Sequence, residues 1–484
     1  MMNRVVLIAA AALFGVAAAG YAITQDANGP AIAATVPKAA PAPPVIVPQS
    51  ATQMQLSFAP IVKKVSPAVV NVYARSVVQQ QVNPMFADPV FQRFFGITPQ
   101  MRQRVQQSLG SGVIVRSDGL ILTNNHVIAG GQEIVVALAD KREFKAKVVQ
   151  ADARLDLALL RVDTKGEKLP TVAFADSDKV QVGDLVLAIG DPFGVGQTVT
   201  MGIVSAQARS QSTSSDAVYI QTDAAINPGN SGGALVTSDG RLAGINSSIY
   251  SNSGGNIGIG FAIPSNLARR FVEGTAGGSS FKMAWFGAEG QSVTSAIASS
   301  MGLSRPEGVI LKTVYPNGPA AKAGLKVGDV VLAIDGNTVD DMQSLNYRIT
   351  THKPGDSPSL KVSSNGRVHD VSVTLTAPPE TTPRATTTIG GRNPLTGAKV
   401  ENLSPAVALD LNMDASATGV VIVSVAPGTP AAGYGFQPGD IVRGLNGAEI
   451  HSVGELKSGL EASQGRWTLV VDRGGHRLSL SVNG

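Results

Sequence analysis

Apolar positions between about residues 53 and 275 come in short runs that are interrupted by Gly, Asn and Asp. Short apolar runs bounded by turn-forming residues are typical of β-strands. Many such strands in succession predict a sandwich or a barrel for this part of the chain. The clearest runs are residues 111–115, 120–122, 134–138, 185–189 and 257–263.

The C-terminal third contains an internal repeat, because four landmarks recur at one constant offset of 111 residues. Each copy follows the order strand, turn, short helix, Gly-Asp turn, strand and helix. This order predicts two similar α+β units, residues 283–378 and 394–484, separated by a Thr- and Pro-rich linker over residues 379–393. The matching landmarks are Gly308 and Gly419, Pro319 and Pro430, Gly328 and Gly439, and Leu345 and Leu456.

The N-terminus has the pattern of an export signal. Arg4 gives a short positive region, an apolar stretch follows over residues 5–19, and small residues suit cleavage near Ala19 or Ala22. We therefore expect a signal peptide over residues 1–23 and an Ala- and Pro-rich linker over residues 24–52. The alternative is a retained membrane anchor, because the apolar run extends to about residue 23 and is almost long enough to span a bilayer.

Composition narrows the class of protein. Apolar residues make up 43% and charged residues 15%, which is typical of a globular chain with large cores. A net charge of +4 over 484 residues is too dilute to favour nucleic acid as a partner. The chain has no cysteine, which excludes disulfides and thiolate metal sites, and we expect no metal and no cofactor.

The candidate nucleophile is Ser231, which lies within the segment Gly229-Asn-Ser-Gly-Gly233. Glycines leave little bulk around the hydroxyl and free the backbone amides to hold an oxyanion. The alternative is an ordinary glycine-rich turn between strands, which is the commoner use of Gly and Asn.

A serine hydroxyl needs a base and an acid to orient that base. Of the five histidines, His126 alone lies in the β-rich region together with the serine. Asp156 is embedded in an apolar run, where a carboxylate needs a partner such as a histidine N–H. The alternatives are a polar turn for His126 and a solvated strand start for Asp156; Asp152 competes as the acid, although its neighbours are polar or small.

The order and surroundings of these residues resemble the HtrA (Deg, or protease Do) family of serine endopeptidases. The resemblance implies a mainly β fold, with a chymotrypsin-like double β-barrel over residues 53–275 followed by two α+β PDZ domains. The motifs that carry it are residues 109–115, 123–128, 156–160, 189–194, 221–235 and 259–264.

The resemblance also implies a role for each residue. Ser231 attacks the peptide carbonyl, His126 takes and returns the proton, and Asp156 holds the imidazole. The amides of Gly229 and Ser231 form the oxyanion hole. The residue before the serine is Asn230, which cannot form the ion pair with a new N-terminus that activates digestive relatives, so we expect activation by loop ordering.

The specificity pocket is predicted to be apolar. Six residues before the serine, where trypsin-like enzymes carry an aspartate, this chain has Ala225, and Ile226 adds an apolar wall. We therefore expect cleavage after small or medium aliphatic residues. Asn230, next to the serine, is also predicted to bind substrate. The strand that would pair with an extended substrate contains Asn246, Ser247, Ser248 and Ile249.

Within the repeat, the resemblance predicts a carboxylate-binding loop for C-terminal peptides in the first PDZ domain. The second copy reads Leu395-Thr-Gly-Ala398, which keeps the glycine but lacks the aromatic pair. For that copy a structural or assembly role is an equal alternative. The loop of the first copy consists of Trp285, Phe286, Gly287 and Ala288.

The leading functional hypothesis is an ATP-independent endopeptidase of the bacterial periplasm that degrades unfolded or damaged proteins and also acts as a chaperone. No phosphate-binding loop of the form GxxxxGK[ST] occurs. The alternatives are an inner-membrane-anchored regulatory protease that makes one signalling cut, and a mainly chaperone or binding protein.

Family resemblance implies a trimer or a higher multiple, with residues 56–60 as a contact; simple core packing of Phe58 is the alternative. The sequence leaves open the physiological substrates and the size of the oligomer.

Overall fold

A computed structural model describes most of the protease region and of the repeat. The predicted signal peptide, the linker over residues 24–52 and Leu56 lie outside the described residues. Within the described part, no helix combines the length and the apolar character that crossing a membrane requires. The described ranges are residues 57–79, 103–191, 196–209, 218–227, 229–249, 257–275, 281–303, 305–411, 413–463 and 465–483.

The first barrel follows helix α1 (Ala59–Val65) and closes in the order β1-β2-β3-β6-β5-β4. Strands β3 and β6 lie in its middle, and nearly all of their side chains are buried, as their continuous apolar runs predict. A short helix, α2 (Asn125–Ile128), follows β3. The strands are β1 (Val69–Gln79), β2 (Gln103–Arg116), β3 (Leu120–Thr123), β4 (Glu133–Ala137), β5 (Glu143–Asp152) and β6 (Leu157–Val162).

The second barrel closes in the order β10-β11-β12-β9-β8-β7 and is followed by helix α3 (Ser265–Gly274). Its interior is filled by small and branched side chains, among them Val204, Ile220, Ile226 and Leu235. The expected double β-barrel is therefore confirmed. The strands are β7 (Leu185–Gly190), β8 (Thr198–Arg209), β9 (Tyr219–Thr222), β10 (Ala234–Thr237), β11 (Leu242–Ile249) and β12 (Gly260–Pro264).

The first PDZ domain has a sheet in the order β13-β14-β15-β17-β18, with β16 beside β15. Its longest helix begins where Asp341 accepts a 2.7 Å hydrogen bond from the Ser344 amide, a capping box that satisfies free amides of the first turn. The elements are β13 (Ala288–Ser292), α4 (Ser295–Met301), β14 (Val309–Val314), α5 (Pro319–Lys322), β15 (Val330–Ile334), β16 (Asn337–Thr338), α6 (Met342–Thr350), β17 (Ser359–Ser364) and β18 (Arg367–Ser372).

The second PDZ domain repeats this plan but adds one strand at the edge, giving the order β19-β20-β21-β22-β24-β25, with β23 beside β22. The added strand β19 comes from residues 379–393, the predicted linker, so this segment is part of the sheet as well as a connection. The elements are β19 (Thr387–Thr388), β20 (Ala398–Asn402), α7 (Pro405–Asp410), β21 (Val420–Val425), α8 (Pro430–Gly433), β22 (Ile441–Leu445), β23 (Ala448–Glu449), α9 (Val453–Ala462), β24 (Arg466–Arg473) and β25 (His476–Asn483).

Both PDZ domains contact the protease domain. In the first, Tyr347 of α6 is buried in the large protease core, and Arg348 lies 2.6 Å from Asp178. In the second, Asp410 lies 3.1 Å from Arg154, which belongs to the turn between β5 and β6. That turn leads directly into Asp156, so the second PDZ domain packs close to the candidate catalytic acid.

Candidate active site

The cleft between the two barrels brings His126 and Asp156 together. His126 lies in α2, directly after β3, and its Nδ1 is 2.8 Å from Asp156 Oδ2 and 3.0 Å from Oδ1. The backbone amide of His126 also donates to Asp156 Oδ1 at 3.0 Å. The carboxylate therefore fixes both the ring and the backbone of the histidine, which leaves Nε2 for proton transfer.

The backbone of Asp156 has a positive φ of 50°, a conformation that costs energy for a residue with a side chain. Two bonds to its carbonyl oxygen hold it there: Asn124 Nδ2 donates at 2.9 Å and the Asn125 amide at 3.2 Å. Ser247 donates its hydroxyl to Oδ2 at 2.9 Å. A carboxylate that accepts this many hydrogen bonds is held in one orientation.

The competing carboxylate, Asp152, has other partners. Arg154 Nη2 lies 2.7 Å from its Oδ2, and the amides of Arg154 and Leu155 donate to its Oδ1. Its side chain therefore holds the turn between β5 and β6 in shape. The structure pairs His126 with Asp156 instead.

Ser231 lies on the turn before β10 of the second barrel, whereas His126 belongs to the first barrel. Its hydroxyl donates to the carbonyl oxygen of Ser247 at 2.8 Å and not to His126 Nε2. Transfer of its proton to His126 therefore requires a rotation of the serine side chain. Among the residues that the structure describes, no three metal-ligating side chains come together, here or elsewhere.

The amides of Gly229 and Ser231 have no acceptor within the described residues, which is compatible with the predicted oxyanion hole. Gly229 has a φ of 101°, which favours glycine. The neighbouring amide of Asn230 is already used, because it donates to Asn227 at 2.9 Å. The two free amides are the pair that the resemblance implies.

Sequence reasoning missed a residue beneath this turn, Ser111 of β2, whose side chain is fully buried. Its hydroxyl donates to the Gly229 carbonyl at 2.6 Å, and its amide donates to the Ser231 carbonyl at 2.7 Å. The Asp191 amide in turn donates to the hydroxyl at 2.9 Å. Close packing explains the small residues here: a Cβ on Gly232 would lie 2.1 Å from the Ser111 carbonyl oxygen. The available sequence signal was a polar residue between two glycines inside an apolar strand.

The predicted pocket residues occupy different environments. Ala225 is half-buried, and its carbonyl accepts from Thr200 Oγ1 at 2.8 Å. Ile226 is 1% exposed and packs in the core of the second barrel against Gly260, so its side chain supports the pocket region from inside the barrel. Asn230 is also buried, with Nδ2 at 3.5 Å from the Ala225 carbonyl. Its Oδ1 has no partner within the described residues.

The predicted substrate strand is β11 (Leu242–Ile249), whose residues differ in the partners of their backbone groups. Both backbone groups of Asn246 are used, because its amide donates to Gly233 and its carbonyl accepts from Gly232. Its side chain donates to Ala234 at 3.1 Å, which gives this residue a structural role. Ser248 and Ile249 pair with β12, and Ser247 lies at an irregularity in that pairing. Pairing of residues 247–249 with a substrate stays a prediction.

The loop over residues 285–288 in the first PDZ domain borders an open groove. Gly287 has a φ of 75°, and its carbonyl is held by the Tyr315 amide at 2.9 Å. Within the described residues, its own amide has no acceptor and the outer edge of β13 has no partner strand. The adjoining cavity of about 630 Å³ is lined by apolar side chains, including Met283, Phe286, Met342, Ile349, Leu411 and Met413.

Two family models match the chain. A model described as a trypsin-like peptidase domain matches residues 110–245, which include the serine, histidine and aspartate of the cleft. A model described as a PDZ domain matches residues 257–375 and 394–483. The predicted order of one protease domain and two PDZ domains is thereby confirmed.

Curated relatives share most of the length of the chain. A protein of Marinomonas sp. (strain MWYL1) is 42% identical over 414 residues, which cover 82% of this chain and 87% of the relative. A protein of Brucella suis biovar 1 (strain 1330) is 36% identical over 441 residues, which cover 85% of each. Both carry the name "Probable periplasmic serine endoprotease DegP-like".

Solved structures give the same result. The structure named "HtrA-type protease AlgW with decapeptide" is 43% identical, with a TM-score of 0.50 over 67% of this chain and 99% of that one. The structure named "HtrA-type protease AlgW with tripeptide" is 41% identical, with a TM-score of 0.51 and the same coverage. These similarities agree with the cleft geometry and with the family resemblance of the motifs.

Proposed function

Since this chain belongs to the HtrA family of trypsin-like serine endopeptidases with PDZ domains, we propose that it degrades unfolded or damaged proteins in the bacterial periplasm. The observation that carries the proposal is the cleft itself. Asp156 holds His126 in one orientation, and Ser247 bonds to both Asp156 and Ser231. The amides of Gly229 and Ser231 have no acceptor within the described residues. A site of this kind performs acyl transfer without ATP, a cofactor or a metal.

Catalysis follows from the positions of these groups. Ser231 rotates towards His126 Nε2, loses its proton to that nitrogen and attacks the peptide carbonyl. The amides of Gly229 and Ser231 hold the resulting oxyanion. His126 then gives the proton to the leaving amine, and Asp156 stabilises the charged ring throughout. Water repeats the sequence on the acyl-enzyme and releases the second product.

The resting orientation of Ser231 supports regulated activation. Its bond to the Ser247 carbonyl occupies the hydroxyl and also one acceptor on the strand edge that a substrate would use. An extended substrate pairing with residues 247–249 would compete for that carbonyl and release the hydroxyl. Because Asn230 cannot form the ion pair that activates digestive relatives, ordering of the loops by substrate or by neighbouring subunits is the switch that we propose.

Substrate choice follows from the same edge. Pairing through backbone groups requires an extended chain, which unfolded proteins offer and compact ones do not. With Ala225 in place of an acidic residue, the pocket favours small or medium aliphatic side chains over Lys or Arg. The first PDZ domain, with an open strand edge and a free loop amide, would hold the C-termini of substrates.

The experiment that tests this function compares the wild type with Ser231→Ala on native and on reduced, carboxymethylated α-lactalbumin, without ATP. We expect the wild type to cut only the unfolded form, and the variant to lose activity by about a millionfold, to assay background. Ser265→Ala, which removes a fully buried hydroxyl away from Ser231, is the control. Cleavage by Ser231→Ala would overturn the assignment, and equal cleavage of both substrate forms would exclude selection of unfolded chains.

A regulatory protease is the second candidate, because the similar AlgW structures are named as complexes with short peptides. In addition, β13 of the first PDZ domain has no partner strand on its outer edge within the described residues. A single cut site in a complete envelope extract would favour this candidate over general degradation. Suppression of aggregation by Ser231→Ala would support the additional chaperone role.

We also propose export with removal of residues 1–23, and a trimer or a higher multiple. N-terminal sequencing and light scattering test these two points.

A further inference from the structure

The strand β19 lies where a bound peptide would lie in a PDZ domain. It runs antiparallel to β20, with Thr387 opposite Val400 and Thr388 opposite Lys399. PDZ domains bind peptides by adding them as a strand to this kind of edge. In the first PDZ domain the equivalent strand is β13, and it has no partner strand on that side within the described residues.

The backbone after β19 ends at the glycine loop in the manner of a peptide C-terminus. The Ile389 amide donates to the Ala398 carbonyl at 2.8 Å, and the Gly397 amide donates to the Ile389 carbonyl at 2.9 Å. A PDZ loop uses such an amide to hold the terminal carboxylate of its ligand. The carbonyl oxygen of Ile389 therefore occupies the place of a carboxylate oxygen.

The two PDZ loops have the same hydrogen bonds, which establishes that Gly397 corresponds to Gly287. The Tyr315 amide donates to Gly287 in the first loop, and the Ala426 amide donates to Gly397 in the second, at 2.9 and 3.0 Å. Both glycines have positive φ, 75° and 90°. One difference remains: the amide of Gly287 is free within the described residues, whereas that of Gly397 is occupied by Ile389.

The side chain of Ile389 fills an apolar pocket, as the last residue of a PDZ ligand does. It is 4% exposed and belongs to a core cluster with Leu395, Leu456 and Leu460. Thr388 points outward and is exposed, while Thr387 is half-buried. A cavity of about 490 Å³ remains between this segment and α9, beside Leu460.

Contacts continue upstream, so the docked segment comprises residues 383–389. The Asn402 amide donates to the Arg384 carbonyl, and Asn402 Nδ2 donates to the Pro383 carbonyl, both at 2.8 Å. Arg384 also pairs with Asp410 at 2.7 Å. After Ile389, Gly390 and Gly391 allow the chain to turn back into the loop, and a Cβ on Gly390 would meet nothing within 4 Å.

We propose that residues 383–389 are an intramolecular ligand that keeps the peptide groove of the second PDZ domain closed. Withdrawal of this segment opens a site for extended peptides that end in an aliphatic residue with a free carboxylate. Such a peptide would give the Gly397 amide a charged acceptor in place of the neutral Ile389 carbonyl. A segment tethered through a short linker acts at an effective concentration of about a millimolar, so a free peptide does not displace it unaided.

The test uses the full chain carrying Ser231→Ala, so that the probe is not digested. The probe is a photoreactive peptide ending in Thr-Thr-Ile with a free carboxylate, and labelled residues are located by mass spectrometry. We expect label at the first PDZ domain in the parent protein. Adding Ile389→Asp should increase label at residues 395–402 and in α9 at least tenfold, and an amidated peptide should give none there. Thr388→Ala, which keeps the strand pairing, should match the parent.

A second set of variants distinguishes release of the segment from unfolding of the second PDZ domain. Thr388→Cys with Lys399→Cys joins two paired residues of a chain that has no other cysteine. In the Ile389→Asp background this lock should abolish the new label, and a reductant should restore it. Strong label of the second domain in the parent, or none in a folded Ile389→Asp protein, would overturn the proposal. If the Ile389→Asp protein unfolds, the experiment is repeated with Ile389→Ala. If both variants unfold, Ile389 is an ordinary core residue and the proposal is overturned.

Discussion

The hydroxyl of Ser111 donates a 2.6 Å hydrogen bond to the carbonyl oxygen of Gly229, which lies 118 residues further along the chain. This bond crosses from the first barrel to the nucleophile turn of the second. Together with the bond from the Ser111 amide to the Ser231 carbonyl, it fixes the peptide planes next to both oxyanion amides. We therefore predict that Ser111 acts as a positioning residue for the proposed oxyanion hole.

Ser111→Ala should lower kcat about tenfold with little change in KM. This loss is smaller than the 10²–10³ that follows removal of an oxyanion donor, because both amides remain. The buried Gly229 carbonyl also loses its donor, which costs about 1–3 kcal/mol of unfolding free energy. Steady-state kinetics on a peptide substrate and urea unfolding measure the two effects. Ser265→Ala should share only the loss of stability, and an equal kcat in the two variants would contradict the positioning role.

Asp156→Asn should lower kcat about 10⁴-fold while the fold remains intact. The carboxylate accepts bonds from the His126 ring, the His126 amide and Ser247, and an amide group places a donor against one of them. The ring then loses its orientation or its correct tautomer. Kinetics with a chromogenic peptide and a melting curve provide the measurement. A loss below tenfold would show that another group orients the base.

In the Tyr219→Phe variant, the free energy of unfolding should fall less steeply above pH 10 than in the wild type. Burial, and then the nearby charge of Asp156, raise the pKa of Tyr219 to about 12. The folded state therefore holds the phenol proton more tightly than the unfolded chain, in which the pKa is about 10. Stability from this group is complete below pH 10 and is lost as the pH rises towards 12, by at most about 2–3 kcal/mol. Urea unfolding at pH 8, 10 and 11 tests this, with the exposed Tyr434→Phe as the control.

Peptides that differ only at the residue before the cut test the pocket. We expect Val, Ile or Ala to exceed Lys and Arg in kcat/KM by about 100-fold, because a charged side chain would find no partner at Ala225. Ala225→Asp should reduce that ratio at least tenfold. A wild-type preference for Lys or Arg would mean that another acidic residue lines the pocket.

Gly287→Ala should weaken peptide binding to the first PDZ domain about tenfold or more. The added Cβ would lie 2.8 Å from Pro319 Cδ and push the loop away from its free amide. Gly366→Ala is a matched control, since its φ of 76° imposes the same strain and its Cβ would meet nothing within 4 Å. Fluorescence anisotropy with a C-terminal peptide separates the two. Equal weakening would attribute the effect to strain alone.

Much of the fold follows from local patterns. Strands such as β3 and β6 are continuous apolar runs, and the repeat is visible as a constant offset, so neither depends on long-range contacts. The pairing of His126 with Asp156 also follows locally, because an embedded carboxylate needs a partner and one histidine lies in the same region. The orientation of Ser231 has no such signal, since it depends on which carbonyl lies nearest once the barrels meet.

Where the structure differs from the sequence predictions, the position of the residue is decided by tertiary contacts. Ile226 suits a pocket wall or a barrel core equally well, and the direction of the chain after β9 decides between them. The Thr- and Pro-rich composition of residues 379–393 is typical of a linker. Its Thr-Thr-Ile segment, however, is also β-branched, and the exposed edge of β20 is what makes it a strand. Ser111 acts through partners that are far away in sequence.

The division of the catalytic groups between two barrels has a consequence for the enzyme under stress. His126 and Asp156 belong to the first barrel and Ser231 to the second, and residues such as Ser111 hold the two walls in register. Heat or denaturant that parts the barrels separates the base from the nucleophile before either barrel needs to unravel. A partly denatured molecule would therefore lose its catalytic geometry while each barrel is still folded.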